Sequence, residues 1–166
     1  MRVDSFRFLP RSFRPLYEHV EAPDGEMPWA PFEPRLSGAT IALLTSAGLH
    51  LQGVQPPFDL ERERREPTWG DPSWRSIPAG VTSAELGMCH LHVNPTDVLA
   101  DHDVALPLDR LAELVAEGVV GAVAGHHVSV MGYQERSLEG WRTTSFPEIV
   151  DMLRGEAADG VVLAPV

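Results

Sequence analysis

Three short, unbroken apolar runs constrain this chain more than any other feature: TIALLT (40–45), VVGAVA (119–124) and VVLAPV (161–166). Each is bounded by turn residues, with Ser37-Gly38 and Ser46-Ala47-Gly48 around the first, Gly118 before the second and Gly160 before the third. A short run without polar alternation fits a strand buried on both faces, as in a parallel sheet covered by helices. Helical segments lie between the runs. Pro107 opens one that continues through Glu117, with Leu108, Leu111, Leu114 and Val115 at helical spacing and Gly118 as its stop. Ser145 or Thr144 caps a second that begins near Pro147, with Ile149, Val150, Met152 and Leu153 as its buried stripe.

Helix alternating with apolar strand predicts an α/β fold: a parallel-type sheet with flanking helices, a Rossmann-like or flavodoxin-like half. Two further strands are expected at Met88–Val93 and Asp103–Leu106. In the first, Cys89, Leu91 and Val93 would share one face, with His90 and His92 on the other. Between His50 and Gly80 the pattern dissolves into prolines and charges, so a long loop with small embedded elements is expected there. Residues 1–36, rich in aromatics, arginines and prolines, read as an irregular N-terminal arm packed on the following domain or on a partner subunit. The α/β domain then occupies 37–166, and its last strand stops where a functional loop should begin, since ligands in such sheets bind beyond the strands' carboxyl ends. The domain is therefore expected to be incomplete at its C-terminus.

The formal charge is −11, with no lysine among the basic residues. Such a charge disfavours nucleic acid or an anionic membrane as partner. The one basic run, Arg62–Arg65, is cancelled by Glu61, Glu63 and Glu66 and reads as an exposed loop or frayed helix. With a single cysteine, Cys89, the chain can hold neither an internal disulfide nor a CxxC site. The N-terminus has no secretory h-region, and no apolar run reaches the ~20 residues of a membrane span. A cytoplasmic location is expected.

Several residues could carry chemistry. His90, His92, His126, His127, Asp97, Asp101, His102 and Asp103 supply enough imidazole and carboxylate for zinc or non-haem iron. An HxH spacing is short and common, however, so loop hydrogen bonds and substrate contacts are the preferred reading. His126 and His127 follow an apolar run, at a sheet edge where sites form. Thr45-Ser46-Ala47-Gly48 resembles an anion-binding turn suited to a substrate carboxylate, while no GxGxxG or Walker pattern supports a nucleotide. Cys89 reads as a buried structural thiol, because nothing near it in sequence would lower its pKa. Arg110 is expected to pair locally, and Trp69, Trp74 and Trp141 to pack.

Four segments carry a resemblance: IALLTSAGLHLQGVQPPFD (41–59), GDPSWRSIP (70–78), HLHVNPTDVLADHDVALPLDRLAELVAEGVVGAVAGHHVSVMGY (90–133) and DGVVLAPV (159–166). Together with the opening FRFLPRSFRPLYE they resemble the selenoprotein B family of glycine, sarcosine and betaine reductases and D-proline reductase, in particular its shorter D-proline-reductase-like members. The resemblance implies a reductive cleavage by a selenolate or thiolate, acting on a small amino acid or amine held by a partner subunit that carries a pyruvoyl group. No cofactor or metal is implied in this chain itself, and a hetero-oligomer is. In the family the redox residue follows a strand like VVLAPV, so it is expected just after Val166, with none of the catalytic residues inside the chain. The sequence then reads as ended at a selenocysteine codon, or as a short subunit that takes its redox residue from elsewhere. Ser46, His50, His90, His92, His127 and Tyr133 would line the substrate side. Two alternatives stay open: a non-catalytic partner subunit of such a complex, and a metal-dependent lyase or hydrolase using the histidines.

Overall fold

The computed structural model describes residues 11, 15, 30–66, 69–134 and 138–166. Most of the predicted N-terminal arm lies outside the described residues, and with it the packing expected of its aromatics. The second of two compact units, Phe32–Val166, carries the fold.

Its strands are β1 (Thr40–Thr45), β2 (Leu49–Leu51), β3 (Trp74–Pro78), β4 (Leu86–Met88), β5 (Ala122–Val123), β6 (His126–Val130) and β7 (Gly160–Ala164). The helices are α1 (Leu60–Arg65), α2 (Pro95–Ala100), α3 (Leu108–Ala116), α4 (Leu138–Gly140) and α5 (Phe146–Gly155). A π turn, Trp141–Ser145, joins the last two into one helical stretch. The fold is mixed α/β, with a curled, mostly parallel sheet and flanking helices, as the alternation of runs predicts.

β1 is the centre of that sheet. On one side it pairs in parallel with β7 over its whole length, Ile41 opposite Gly160 through Thr45 opposite Ala164. On the other side it pairs first with β5 and then with β6, both parallel. β3 closes that flank antiparallel to β6. β2 and β4 form a separate antiparallel pair.

Alternate β1 residues feed two cores. Ile41 and Leu43 join Leu49, Ile77, Leu86, Leu106, Leu108 and Leu111 on one face. Leu44 joins Val128, Val130, Ile149 and Trp141 on the other. Of the predicted spacing, α3 buries Leu108 and Leu111 and half-buries Val115 while Leu114 is exposed, and the helix stops before Gly118, whose φ of +72° suits a residue without Cβ.

Several expectations need correcting. VVGAVA is not one strand: only Ala122–Val123 pairs, and after Gly125 the chain resumes as β6, unforeseen because its pattern opens with two histidines. The segment expected as a strand at Asp103–Leu106 is instead a 3-10 turn over His102–Val104, made when Asp101 accepts the Asp103 N–H. Met88–Val93 leaves the ladder after Met88, because the His92 N–H bonds His90 Nδ1 and Asn94 caps α2. Ser145 does not cap a helix but donates its hydroxyl to the Pro72 carbonyl from within the π turn. The long loop holds β2, α1 and β3, and the Arg62–Arg65 run lies on α1, where Arg62 stacks over Trp69.

β7 is paired on one side only among the described residues, and its side chains are uncovered on both faces. Val161, Val162 and Leu163 are 38%, 49% and 66% exposed. Among the described residues no helix is long and apolar enough to cross a membrane.

Candidate functional site

The parallel strands β1, β6 and β7 run in one direction, so their carboxyl ends converge. Ser46 leaves β1 there, Met131 and Gly132 leave β6, and Pro165 and Val166 leave β7. Ser46 is the junction. Its Oγ accepts the Val166 N–H at 2.9 Å, and its N–H donates to the Ala164 carbonyl.

The remaining turn N–H groups are also engaged: Ala47 donates to Thr45 Oγ1, and Gly48 to the Val130 carbonyl. No backbone donor of 46–48 is left for a ligand, which corrects the anion-turn reading; the side chain of Ser46, not its peptide, faces the site. Gly48 adopts φ +65°, and a Cβ there would stand 2.0 Å from the Cys89 carbonyl oxygen. That closeness brings the 89–92 segment against the β1 turn, and the Cys89 N–H donates to the Gly48 carbonyl.

His90 reaches the same place. Its Nδ1 accepts the His92 N–H at 3.1 Å, so the ring hydrogen directed at the Val166 backbone is on Nε2. Burial lowers its pKa, and the nearby His92 adds to this, while the Val166 contact works the other way. The His90 and His92 rings meet edge to face, 6.2 Å apart. His92 and Tyr133 line a second cavity of about 480 Å³ with Glu63, Arg64 and Leu91. The carboxyl of Glu63, a largely buried residue, has its pKa raised by desolvation, with His92 opposing this.

His50 lies one layer deeper. Its Nδ1 is 3.8 Å from Cys89 Sγ. Desolvation dominates both groups, lowering the imidazole pKa and raising the thiol pKa, so the resting pair is neutral thiol and neutral imidazole. The buried guanidinium of Arg75 lies over the Phe58 ring and bonds the Pro56 and Pro57 carbonyls. It favours the thiolate without overcoming burial. Cys89 is thus the buried thiol expected, with an imidazole partner that its sequence neighbourhood could not reveal.

A cavity of about 360 Å³ opens beside Ser46. Val130, Met131, Gln134, Trp141, Arg142 and Phe146 are among its other lining residues. Its wall is mainly apolar, yet two lining residues carry buried polar atoms with no partner among the described residues: the Trp141 indole nitrogen, a donor, and Gln134 Oε1, an acceptor. The Gln134 amide nitrogen is committed to the Asp71 and Met131 carbonyls, which fixes its oxygen as the open acceptor. Trp141 and Arg142 sit on the π turn, a distortion that recurs at functional sites. Sequence reading missed this wall, because Gln134, Trp141 and Arg142 follow no motif.

The six residues expected on the substrate side therefore divide. Ser46, His90, His92 and Tyr133 belong to the loops around the carboxyl-end site, and His50 lies behind them on β2. His127 does not join them. It is fully buried near the opposite end of β6, where its Nδ1 accepts the Leu43 N–H at 3.0 Å. That bond fills the place in the β1 ladder left by the break between β5 and β6. Burial pushes the His127 pKa down to about 4. His126, at the first residue of β6, pairs with Glu156 at 2.5 Å, so neither histidine sits at the sheet edge where ligands bind. Nor do the candidate metal ligands converge as a set. Among the described residues, the group of three or more that could hold an ion is His102, Asp103 and Asp109.

No family model matches the chain. Of its residues, 135 are 29% identical to D-proline reductase subunit gamma of Acetoanaerobium sticklandii. The chain is a distant relative of that subunit. The match takes in 81% of this chain and 52% of that subunit, so the chain spans about half the length of the curated relative. No solved structure matches it.

Proposed function

We propose that this chain is the substrate-facing α/β part of a selenocysteine- or cysteine-dependent reductase of the D-proline reductase kind, within the selenoprotein B family. One observation carries the reading. The Val166 N–H is held by Ser46 Oγ and its backbone also receives the His90 ring hydrogen, while Ser46 lines the neighbouring cavity. A redox residue following Val166, as the resemblance implies, would enter the space between His90 and that cavity.

The roles follow from the chemistry. His90 Nε2–H, which meets the Val166 backbone, is placed to donate a hydrogen bond to an anion developing at the residue that follows, whereas proton delivery to a leaving amine would require the imidazolium form. The apolar wall of Val130, Met131 and Phe146 excludes water from the ring or side chain of a small substrate. The Trp141 indole N–H and the Arg142 guanidinium suit its carboxylate, and Gln134 Oε1 suits an ammonium or imine N–H. A pyruvoyl group on a partner subunit would hold the substrate amine, making the working unit a hetero-oligomer. The uncovered apolar strand β7 supports such an assembly, since parallel strands are ordinarily covered on both faces.

The test is to express the reading frame through and beyond the Val166 codon, with cysteine at any selenocysteine position, together with the pyruvoyl subunit. Reductive C–N cleavage of D-proline or another small cyclic or N-substituted amino acid is then measured with a dithiol donor. Activity that falls sharply in His90→Gln, with the protein still folded, is expected. No open frame beyond Val166, or turnover indifferent to His90 and Arg142, would overturn the proposal.

A further inference from the structure

A second cluster lies where the 3-10 turn over His102–Val104 meets the first turn of α3. His102 is nine-tenths buried, and its ring is fixed from behind. Ser83 Oγ accepts the His102 backbone N–H at 3.0 Å and stands 2.9 Å from its Nδ1. In the tautomer that carries its hydrogen on Nδ1 and donates it to Ser83 Oγ, Nε2 presents a lone pair. That Nε2 is buried and has no hydrogen-bond partner among the described residues.

It faces carboxylate. Asp103 Oδ1 is 3.9 Å away, beyond hydrogen-bond range but consistent with two ligands of one ion. Asp103 is itself held in place, because its Oδ1 accepts the Asp109 N–H at 2.9 Å and its Oδ2 accepts Arg110 Nε at 3.0 Å. A ligand oxygen of Asp109 lies within 4.8 Å of both other ligand atoms. Arg110 is drawn off toward Glu113 on its other side, at 2.8 Å, so the cluster keeps a negative balance.

We propose that His102 Nε2, Asp103 and Asp109 form a binding site for one divalent transition-metal ion of the zinc class. Imidazole nitrogen argues against magnesium or calcium, which take oxygen ligands, and two carboxylates with one imidazole suit zinc or manganese. Ser83 is the outer partner that orients the imidazole, a role such histidine ligands ordinarily require. The ion would pin the 3-10 turn to α3. This site is independent of the proposed reductase reading.

The experiment uses the untagged 166-residue chain, stripped with chelator and titrated with zinc by calorimetry and with cobalt by visible absorption. One equivalent is expected, with the cobalt d–d bands of a nitrogen–oxygen site. Asp109→Asn, on the exposed first turn of α3, should weaken binding by well over tenfold, and Ser83→Ala by about tenfold. His102→Gln should abolish it. The controls His126→Gln and His90→Gln/His92→Gln should bind as the parent does. No heat and no cobalt band at saturating metal would overturn the site. So would binding lost in either control but kept in Asp109→Asn and His102→Gln. Should His102→Gln fail to fold by circular dichroism, Asp109→Asn and Ser83→Ala still decide the matter.

Discussion

His127 should make this fold acid-sensitive in a way one substitution can remove. Its imidazole is fully buried, must remain neutral to accept the Leu43 N–H at Nδ1, and has a pKa of about 4 in the folded chain. The unfolded chain protonates the same ring below an ordinary value near 6.5. Between pH 6.5 and 4 the unfolded state therefore binds more protons, and stability falls as pH drops through that window; above it the full contribution is present. At about 1.4 kcal/mol per pH unit the loss reaches about 2 kcal/mol by pH 5 and about 3 kcal/mol by pH 4. Urea unfolding of the chain and of His127→Gln across this range is the assay. Glutamine offers an amide oxygen to the Leu43 N–H and does not titrate. His50 and His90, whose pKa values are also lowered, act equally in both proteins and cancel in the difference. The advantage of the parent over the variant should thus shrink by about 3 kcal/mol from pH 7 to pH 4. Two curves that stay parallel within extrapolation error would refute the reasoning.

Further expectations concern the site and the sheet. Gly48→Ala should cost more than about 3 kcal/mol or prevent folding, since positive φ and a Cβ 2.0 Å from the Cys89 carbonyl oxygen act together; a melting temperature close to the parent's would contradict this. Trp141→Phe deletes a buried indole N–H without a partner and should leave stability unchanged or raise it by about 1 kcal/mol, while weakening any carboxylate ligand of the adjoining cavity. Chemical denaturation and ligand titration read the two effects separately. Leu163→Lys, at a position 66% exposed on β7, should change stability by less than about 0.5 kcal/mol and reduce self-association in sedimentation; a large loss of stability would mean that β7 is covered in solution.

The elements legible in the sequence were those with an unbroken apolar run or a sustained helical spacing. TIALLT is β1 without adjustment, VVLAPV contains most of β7, and the spacing of Leu108 and Leu111 is the buried face of α3. β6 was illegible because its first residues are two histidines, one hydrogen-bonded to Glu156 at the surface and one spent on a backbone N–H. Neither use leaves a hydropathy signal. The site was legible in part. Ser46 could be found because it ends a strand, and His90 and His92 because they are ionisable. The 3.8 Å approach of His50 to Cys89 joins residues 39 apart. The cavity wall rests on a π turn, and local sequence does not encode that register slip. Likewise Asp109 stands out by no spacing in the sequence, and it is the third member of a cluster made by a turn where a strand is expected.

The two flanks of the sheet are not equivalent. Along β3 the outer flank is occupied: the Gln55 side chain donates to the Ser76 carbonyl, and Pro78 ends the strand without an N–H. Along β7 the outer flank has no such stopper among the described residues. A sheet that can be extended on one side only is monovalent. Whatever strand adds to β7, it leaves no second equivalent edge for the next molecule, and two copies joined edge to edge with two-fold symmetry would exhaust both open sides. Were a strand to add at β7, growth would end at that first addition, where an equally bare β3 would allow an open-ended filament.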